Sequence, residues 1–335
     1  MADSLATNNF TYDVLSDVPS VIGMAVEWNA LLAQSRCNRA FSSAQWFLAN
    51  CLLQDSAPHV IAARRNGAIA GILPLVLNGG AAEFPDDESD YNDLIAACND
   101  TAAIKGLLEF ALSARNGYQR LVLSRLRDDS NCLRVMPSLE YRGTLARLYS
   151  KDSTCPYVSL VSGYDEYLLT RSKSFRTSLR QALRHADRNN IYVSELQPDE
   201  FPASSLPDLF LSLHLDRFAG QSSLEAPRAQ AFVREVVPSL FSEQRLRAFA
   251  LFASEEIVGI NLCMVGASSL CLWNGGFMAA ADRWSPGKLL INAGIREASL
   301  SHLREYDFLR GHESYKSRWA NQQRQIGQLE FEFVN

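Results

Sequence analysis

Two stretches of the chain are apolar runs broken by a tight turn. The first, HVIAARRNGAIAGILPLVL, runs from His59 to Leu77 around Asn66-Gly67, and the second, RAFALFASEEIVGINLCMV, runs from Arg247 to Val265. Both read as strand-turn-strand units. Superposed without gaps, Ala62 falls on Ala250, Ile69 on Ile257, Gly71 on Gly259 and Ile72 on Ile260. After the first unit come an irregular acidic stretch (Glu83 to Asp93), a helical pattern from Thr101 to Arg115 and a strand from Arg120 to Ser124. After the second come a strand from Leu270 to Phe277, a helix from Pro286 to Leu303 and a strand from Tyr306 to Leu309. The repeated order of hairpin, helix and strand predicts an α/β (α+β) mixed sheet with helices packed on it, built as two tandem lobes. We place them at residues 1–150 and 151–335. The stretch Asp128 to Tyr157, with Pro137 and Pro156, forms the strand-and-loop connection.

Helical spacing is clearest from Ser172 to Asn190. There Phe175, Leu179, Ala182, Leu183 and Ala186 make one apolar face. Beside it Lys173, Arg176, Arg180, Arg184 and Arg188 recur every three or four residues as a basic stripe, either a solvated face or a wall for phosphates. A second helix, Leu206 to Phe218, carries His214 and Arg217 about one turn apart. A third, Arg228 to Leu240, should end at Pro238. From Ile326 to Val334, Leu329, Phe331 and Phe333 alternate with polar residues and suit an edge or half-buried strand.

Composition narrows the class. At 335 residues the chain exceeds one ordinary hydrophobic core. Its 47% hydrophobic and 21% charged residues are those of a globular protein. A net charge of -5 argues against bulk nucleic-acid binding, although not against a local basic groove. The segment Met1 to Tyr12 lacks the basic-then-apolar order of a secretory signal. The longest apolar run, Ala68 to Leu77, is far short of the roughly 20 residues needed to span a bilayer. Cysteines 37, 51, 98, 132, 155, 263 and 271 form no C-x-x-C pair, so a zinc site or disulfide framework is not expected. Cys263 and Cys271 fit small core positions. These features point to a soluble protein of the reducing cytoplasm, without membrane insertion.

The densest chemistry lies between Arg283 and Lys316. Ser285 suits an N-cap, Pro286 the first helical position, and Leu290, Ile291, Gly294, Ile295 and Ala298 one helix face. A helix start after a strand, with Gly287 permitting close approach and Lys288 adding charge, is an anion site fit for a pyrophosphate. It is equally a plain capped helix. Nucleotide-binding and metalloprotease patterns are absent, so no ATP, NAD or metal is expected.

The run S-P-G-x-x-L (Ser285, Pro286, Gly287, Leu290), followed by D-F-x-R-G-x-E-x-Y-K (Asp307, Phe308, Arg310, Gly311, Glu313, Tyr315, Lys316), resembles the GNAT-type acetyltransferase domain of the CelD and FemAB-like group. The resemblance covers about Tyr164 to Trp319. It extends more loosely to the N-terminal half, through Phe41 to Trp46, Gly71 to Leu75 and Asp90 to Leu94. It implies paired GNAT-like lobes of the acyl-CoA N-acyltransferase fold. It also implies transfer of an acyl group to an amine of a small molecule or sugar, as in polysaccharide or cell-envelope biosynthesis. The donor is acetyl-CoA or another acyl-CoA, or alternatively an aminoacyl-tRNA held by the basic stripe; a non-catalytic binding module is a third reading. The usual R/Q-x-x-G-x-G/A pyrophosphate loop is altered here, with Pro286 and Lys288 at the glycine positions.

Direct acyl transfer needs a polarised carbonyl, a base for the acceptor ammonium and a proton for the leaving thiolate, but no serine or cysteine nucleophile. Candidate bases are Asp307, His312 and Glu313, and Tyr315 is a candidate acid. Ser285, Gly287, Lys288 and Leu289 are the expected donor contacts. Arg176, Arg180, His214, Arg217, Trp273 and Lys316 are the expected substrate contacts, with Trp319 as a further wall. Each has a plain structural alternative in packing, capping or ion pairing.

Overall fold

The computed structural model describes residues 10–36, 39–85, 88–113, 117–139 and 144–333, with the side chains of 144–150 and 152 left aside. Cys37, Arg115 and Val334 lie outside the described residues. The chain divides into two compact units, one of residues 1–152 with 325–335, the other of 153–324.

The first unit contains β1 (Phe10–Leu15), α1 (Val18–Gln34), α2 (Ala44–Gln54), β2 (Ala57–Arg65), β3 (Ala68–Asn78), β4 (Ala81–Glu83), β5 (Ile95–Ala96), α3 (Thr101–Ser113), β6 (Arg120–Arg127) and α4 (Asn131–Val135). The chain then enters β7 (Thr144–Ser159), within which it passes to the second unit. There follow α5 (Gly163–Leu169), α6 (Lys173–Arg188), β8 (Ile191–Leu196), α7 (Leu206–Arg217), α8 (Pro227–Ser242), β9 (Leu246–Ala253), β10 (Glu256–Val265), β11 (Ser269–Phe277), α9 (Pro286–Leu300), β12 (Glu305–Asp307), α10 (Ser314–Trp319) and β13 (Gln322–Phe333).

The strands of the first unit are ordered β1-β2-β3-β4-β6-β13, and those of the second β8-β9-β10-β11-β12-β7. Each series is antiparallel except at one pair, β4 with β6 and β11 with β12. The C-terminal strand therefore completes the sheet of the first unit, and the end of β7 completes that of the second. Of the edge and half-buried positions expected for the last strand, the second is observed: β13 is an inner strand, and Leu329 and Phe331 are buried while Glu332 is exposed.

The two hairpins share more than composition. Ala62 pairs with Ile72, and Ala250 with Ile260. In each, one residue is skipped in the ladder, Ala70 in one and Val258 in the other, and the gap-free superposition places these two together. Turn residues Asn66 and Gly67, like Ser254 and Glu255, take positive φ, as a tight hairpin turn requires. The same bulge at equivalent positions makes the lobes structural counterparts.

Burial follows from the strand period. In β2, Val60 and Ala62 face a cluster with Val21, Trp28 and Leu32 of α1, whereas Ile61 and Ala63 face one with Ile104, Leu107 and Leu108 of α3. A strand covered on both faces reads as a continuous apolar run. In the second unit, Leu179, Ala182 and Ala186 of α6 join Leu289, Leu290, Ile295 and Ala298 of α9 over Phe249, Leu251 and Cys263. Cys263 and Cys271 are buried as expected. Leu183, expected on the apolar face, is 37% exposed.

One boundary differs from expectation. Helix α8 runs through Pro238 to Ser242. A proline inside a helix costs about 3 kcal/mol, and here buried Val233, Val236, Val237, Leu240 and Phe241 hold the helix together across it. The irregular acidic stretch after β4 ends in the core. Asp93 is buried, accepts the N–H groups of Leu94, Asn131 and Cys132, and is pushed up to about 6 by that burial. Among the described residues no helix is long and apolar enough to cross a membrane.

Candidate functional site

The parallel pair of the second unit is short. Strand β12 meets β11 only over Ser269–Cys271, and β11 then continues to Phe277 with β10 alone beside it. Because β11 and β12 run the same way, the turn into α9 and the loop after Asp307 both leave from one end of the pair. Ligands of open α/β sheets bind at such carboxyl ends. Along the extension, Leu262 faces Asn274 while Cys263 faces Leu272, so Trp273 is the extra residue of a bulge, which bends the strand. Trp273 is half-buried and its ring stacks on Phe210 at 6.3 Å between centroids.

Helix α7 lies against this extension because β11 carries glycine there. A Cβ on Gly276 would come within 2.4 Å of the His214 Cα and N. His214 is buried; its Nδ1 stands 2.9 Å from the Gly275 carbonyl and its Nε2 2.7 Å from Ser222 Oγ. A carbonyl only accepts, so Nδ1 carries the proton and Nε2 offers its lone pair to the serine hydroxyl. Burial lowers the imidazole pKa, and the bond to Gly275 partly opposes this. Arg217 is exposed, with its guanidinium 4.7 Å from the centre of the Phe277 ring.

The start of α9 differs in detail from expectation. Ser285 is the capping position, but it is left-handed (φ 57°, ψ 52°) and its side chain makes no cap bond. Its carbonyl accepts the N–H groups of Lys288 (3.0 Å) and Leu289 (3.3 Å). Pro286 has no N–H. The Gly287 N–H therefore remains without an acceptor among the described residues, and a Cβ on Gly287 would meet nothing within 4 Å. Lys288 Nζ donates to Ser178 Oγ of α6 at 2.9 Å, a neutral partner that leaves the ammonium charge uncompensated. Leu289 is buried in the core, where it supports the helix rather than facing a ligand. Exposed Arg283 lies over the Trp284 ring at 4.3 Å just before this turn.

The counterpart in the first unit is closed. There Asp100 precedes α3, accepts the Ala103 N–H at 3.1 Å and grips Arg65 with both oxygens. A carboxylate at the helix start occupies the place an anion would take and repels one.

After β12 the candidate acid and base residues separate. Asp307 is fully buried; its Oδ1 accepts the Leu309 N–H at 2.8 Å, and Oδ2 is 3.7 Å from Arg324 Nε. These contacts make it a structural anchor and take it out of reach of an acceptor. His312 is exposed. Glu313 is exposed and pairs at 3.1 Å with Lys316 Nζ, which is buried and also donates to the Arg310 carbonyl. Gly311, at φ +126°, makes this turn possible, since a Cβ would meet Glu313 Oε2 at 2.1 Å and Lys316 Nζ at 2.7 Å. Tyr315 stacks edge-on to Phe308 at 6.2 Å, and desolvation, then the Glu313 charge, hold its phenol above the ordinary range. Trp319 is buried against Phe175. In α6, Arg176 is half-buried and Arg180, Arg184 and Arg188 are exposed; none of them pairs with an acid among the described residues.

The sequence pointed to His214 but not to Ser222. That hydroxyl lies eight residues away, in an irregular segment with no periodicity to mark it.

With this geometry, residues 173–317 match the model of the acetyltransferase (GNAT) domain. No curated protein sequence matches the chain. Among solved structures, FemX superposes with a TM-score of 0.64 at 12% identity, over 93% of this chain and 96% of that one. L-PGS from Bacillus licheniformis superposes with a TM-score of 0.62 at 12% identity, over 94% and 92%. At such identity the likeness is one of fold. The protein is thus a mixed α/β protein with two lobes of like construction, and residues 173–317 of its second half are similar to the acetyltransferase (GNAT) domain.

Proposed function

We propose that the protein is an N-acyltransferase of the CelD and FemAB-like kind that moves an acyl group from acyl-coenzyme A to an amine of a small molecule or sugar. The observation that carries this reading is the contrast between the helix starts: α9 presents the open Gly287 amide, whereas α3 is sealed by Asp100. A free amide, the positive end of a 15-residue helix, and the charges of Lys288 and Arg283 suit a pyrophosphate. The space over Gly287 admits it, so the residues present fit the donor. In this account Ser285, Gly287 and Lys288 hold the donor phosphates.

The thioester supplies the activated carbonyl. The β11–β12 pairing ends at Cys271 and Asp307, and in this account the acyl group lies beyond that end, between the bulged strand and the loop 308–313. His312 and Tyr315 are the groups we assign to proton traffic at the acceptor and the leaving sulfur, and Trp273, Arg217 and Lys316 border the acceptor. Arg176 and Arg180 favour an extended anionic donor, which keeps an aminoacyl-tRNA as the second reading.

Thermal melting separates the two. A ligand at about 100 times its Kd stabilises by about 2.7 kcal/mol, which moves Tm by roughly 4 °C if the whole chain melts as one unit and by more if the second unit melts alone. Coenzyme A should produce that shift and lose it in Gly287→Trp. A shift with tRNA alone selects the aminoacyl donor; no shift with either removes both.

A further inference from the structure

His214 and Ser222 hold the parts of an activated hydroxyl, which direct acyl transfer does not require. The imidazole is fixed in one tautomer by the Gly275 carbonyl at 2.9 Å, and its other nitrogen faces Ser222 Oγ at 2.7 Å. The serine in turn accepts the Leu224 N–H at 3.1 Å, which leaves one lone pair of Oγ uncommitted. Ser222 is half-buried beside the exposed stretch Arg217–Gln221, whereas the imidazole behind it is buried. A nucleophile, a base within hydrogen-bond reach, and a third group that orients the base are the elements of covalent catalysis.

We infer that Ser222 and His214 form a nucleophilic pair that accepts an acyl group from an ester or thioester onto Ser222 Oγ. Oγ attacks the carbonyl carbon and its proton passes to His214 Nε2. The bond to the leaving oxygen or sulfur then breaks, and the imidazolium gives the proton to that leaving group or, where the group departs as an anion, to water, so that Nε2 is free again. Water or an amine next attacks the serine ester and gives a proton to Nε2. The Ser222 C–O bond to the acyl carbon breaks, and the proton goes back to Oγ.

Charged groups around the pair are engaged elsewhere. Asp216 accepts the Ala279 N–H, Arg217 lies over Phe277, Glu225 caps the Gly220 N–H, and β11 brings no ionisable side chain to this face. The base is therefore the imidazole alone, and burial keeps it neutral at pH values where a free histidine is part-charged.

The test uses the full-length protein and p-nitrophenyl acetate, with release of p-nitrophenolate followed in time and the acetyl group located by peptide mass spectrometry. We expect a burst approaching one equivalent per chain with the acetyl on Ser222, absent in Ser222→Ala and slowed about 10²-fold or more in His214→Gln. In the wild type the burst rate should follow one ionisation below 6.5 and stay level above it, a readout that needs no variant. No acetyl on Ser222, an undiminished burst in His214→Gln, or a rate that climbs with hydroxide without a plateau overturns the inference. A burst without a coenzyme A-induced melting shift leaves the pair standing and removes the donor reading. A shift without a burst does the reverse.

Discussion

Gly276 and His214 are in contact through bare backbone: a methyl group on Gly276 would stand 2.4 Å from the His214 Cα and N. The missing side chain is what lets α7 close on β11 and brings His214 to the Gly275 carbonyl. Gly276→Ala should therefore push α7 away at a cost of about 1–3 kcal/mol, the range for overpacking, seen as a lower denaturation midpoint. An unchanged midpoint would show that α7 is not seated as described.

Asp307 gives a second outcome. If its carboxylate anchors Leu309 and Arg324, Asp307→Ala lowers stability by about 1–3 kcal/mol, because it strands a buried N–H and weakens a buried cation's surroundings. Arg324 keeps Glu305 as a partner, which limits the loss. Asp307→Asn, which retains an acceptor for Leu309, should recover part of it. Equal losses in both variants would contradict the anchoring role.

Gly311 supplies the third. Its φ of +126° and the nearness of Glu313 and Lys316 exclude a side chain. Gly311→Ala should cost about 1–3 kcal/mol in strain and displace the turn that presents His312, so a melt at the wild-type temperature would count against the turn geometry.

The fourth concerns pH. His59 is buried in β2, its Nε2 has no hydrogen-bond partner among the described residues, and burial lowers its pKa from 6.5. The folded chain then binds fewer protons than the unfolded one below 6.5. Stability from the neutral ring is complete above that value and falls as pH drops through the lowered one. Asp93 works the other way: raised from 3.8 to about 6, its contribution is complete below 3.8 and lost as pH rises through about 6. His59→Leu should flatten the decline in Tm between about pH 7 and pH 5, and Asp93→Asn should steepen it. Superimposable curves would deny both residues this role.

Much of this was readable in the chain, for identifiable reasons. Asn66-Gly67 marks its hairpin because both residues adopt positive φ, and α6 shows itself because one of its faces is solvated. Helices α1 and α2 are hidden in the sequence because apolar residues also sit on their exposed faces: Ile22 and Val26 in α1 and Leu52 in α2 blur the period set by Val21, Met24, Trp28, Leu31, Trp46 and Phe47. The exchange of last strands between the units left no local trace, because Leu329 and Phe331 alternate alike at an edge or in the middle of a sheet. In the site, the turn at Pro286 and Gly287 was legible from capping chemistry. The left-handed Ser285 was not, since serine there reads as a side-chain cap. The distinction between exposed His312 and buried Asp307 depends on where β12 ends, which short strands do not declare.

An open amide at the start of α9 is what would receive the donor, and the amide resonances of the second unit report on it directly. On adding coenzyme A, the Gly287 N–H signal should move further than those of Ala103 and Ile104 at the sealed start of α3, and Gly287→Trp should abolish binding. Binding that leaves Gly287 unmoved, or that survives the tryptophan, would contradict the placement of the donor.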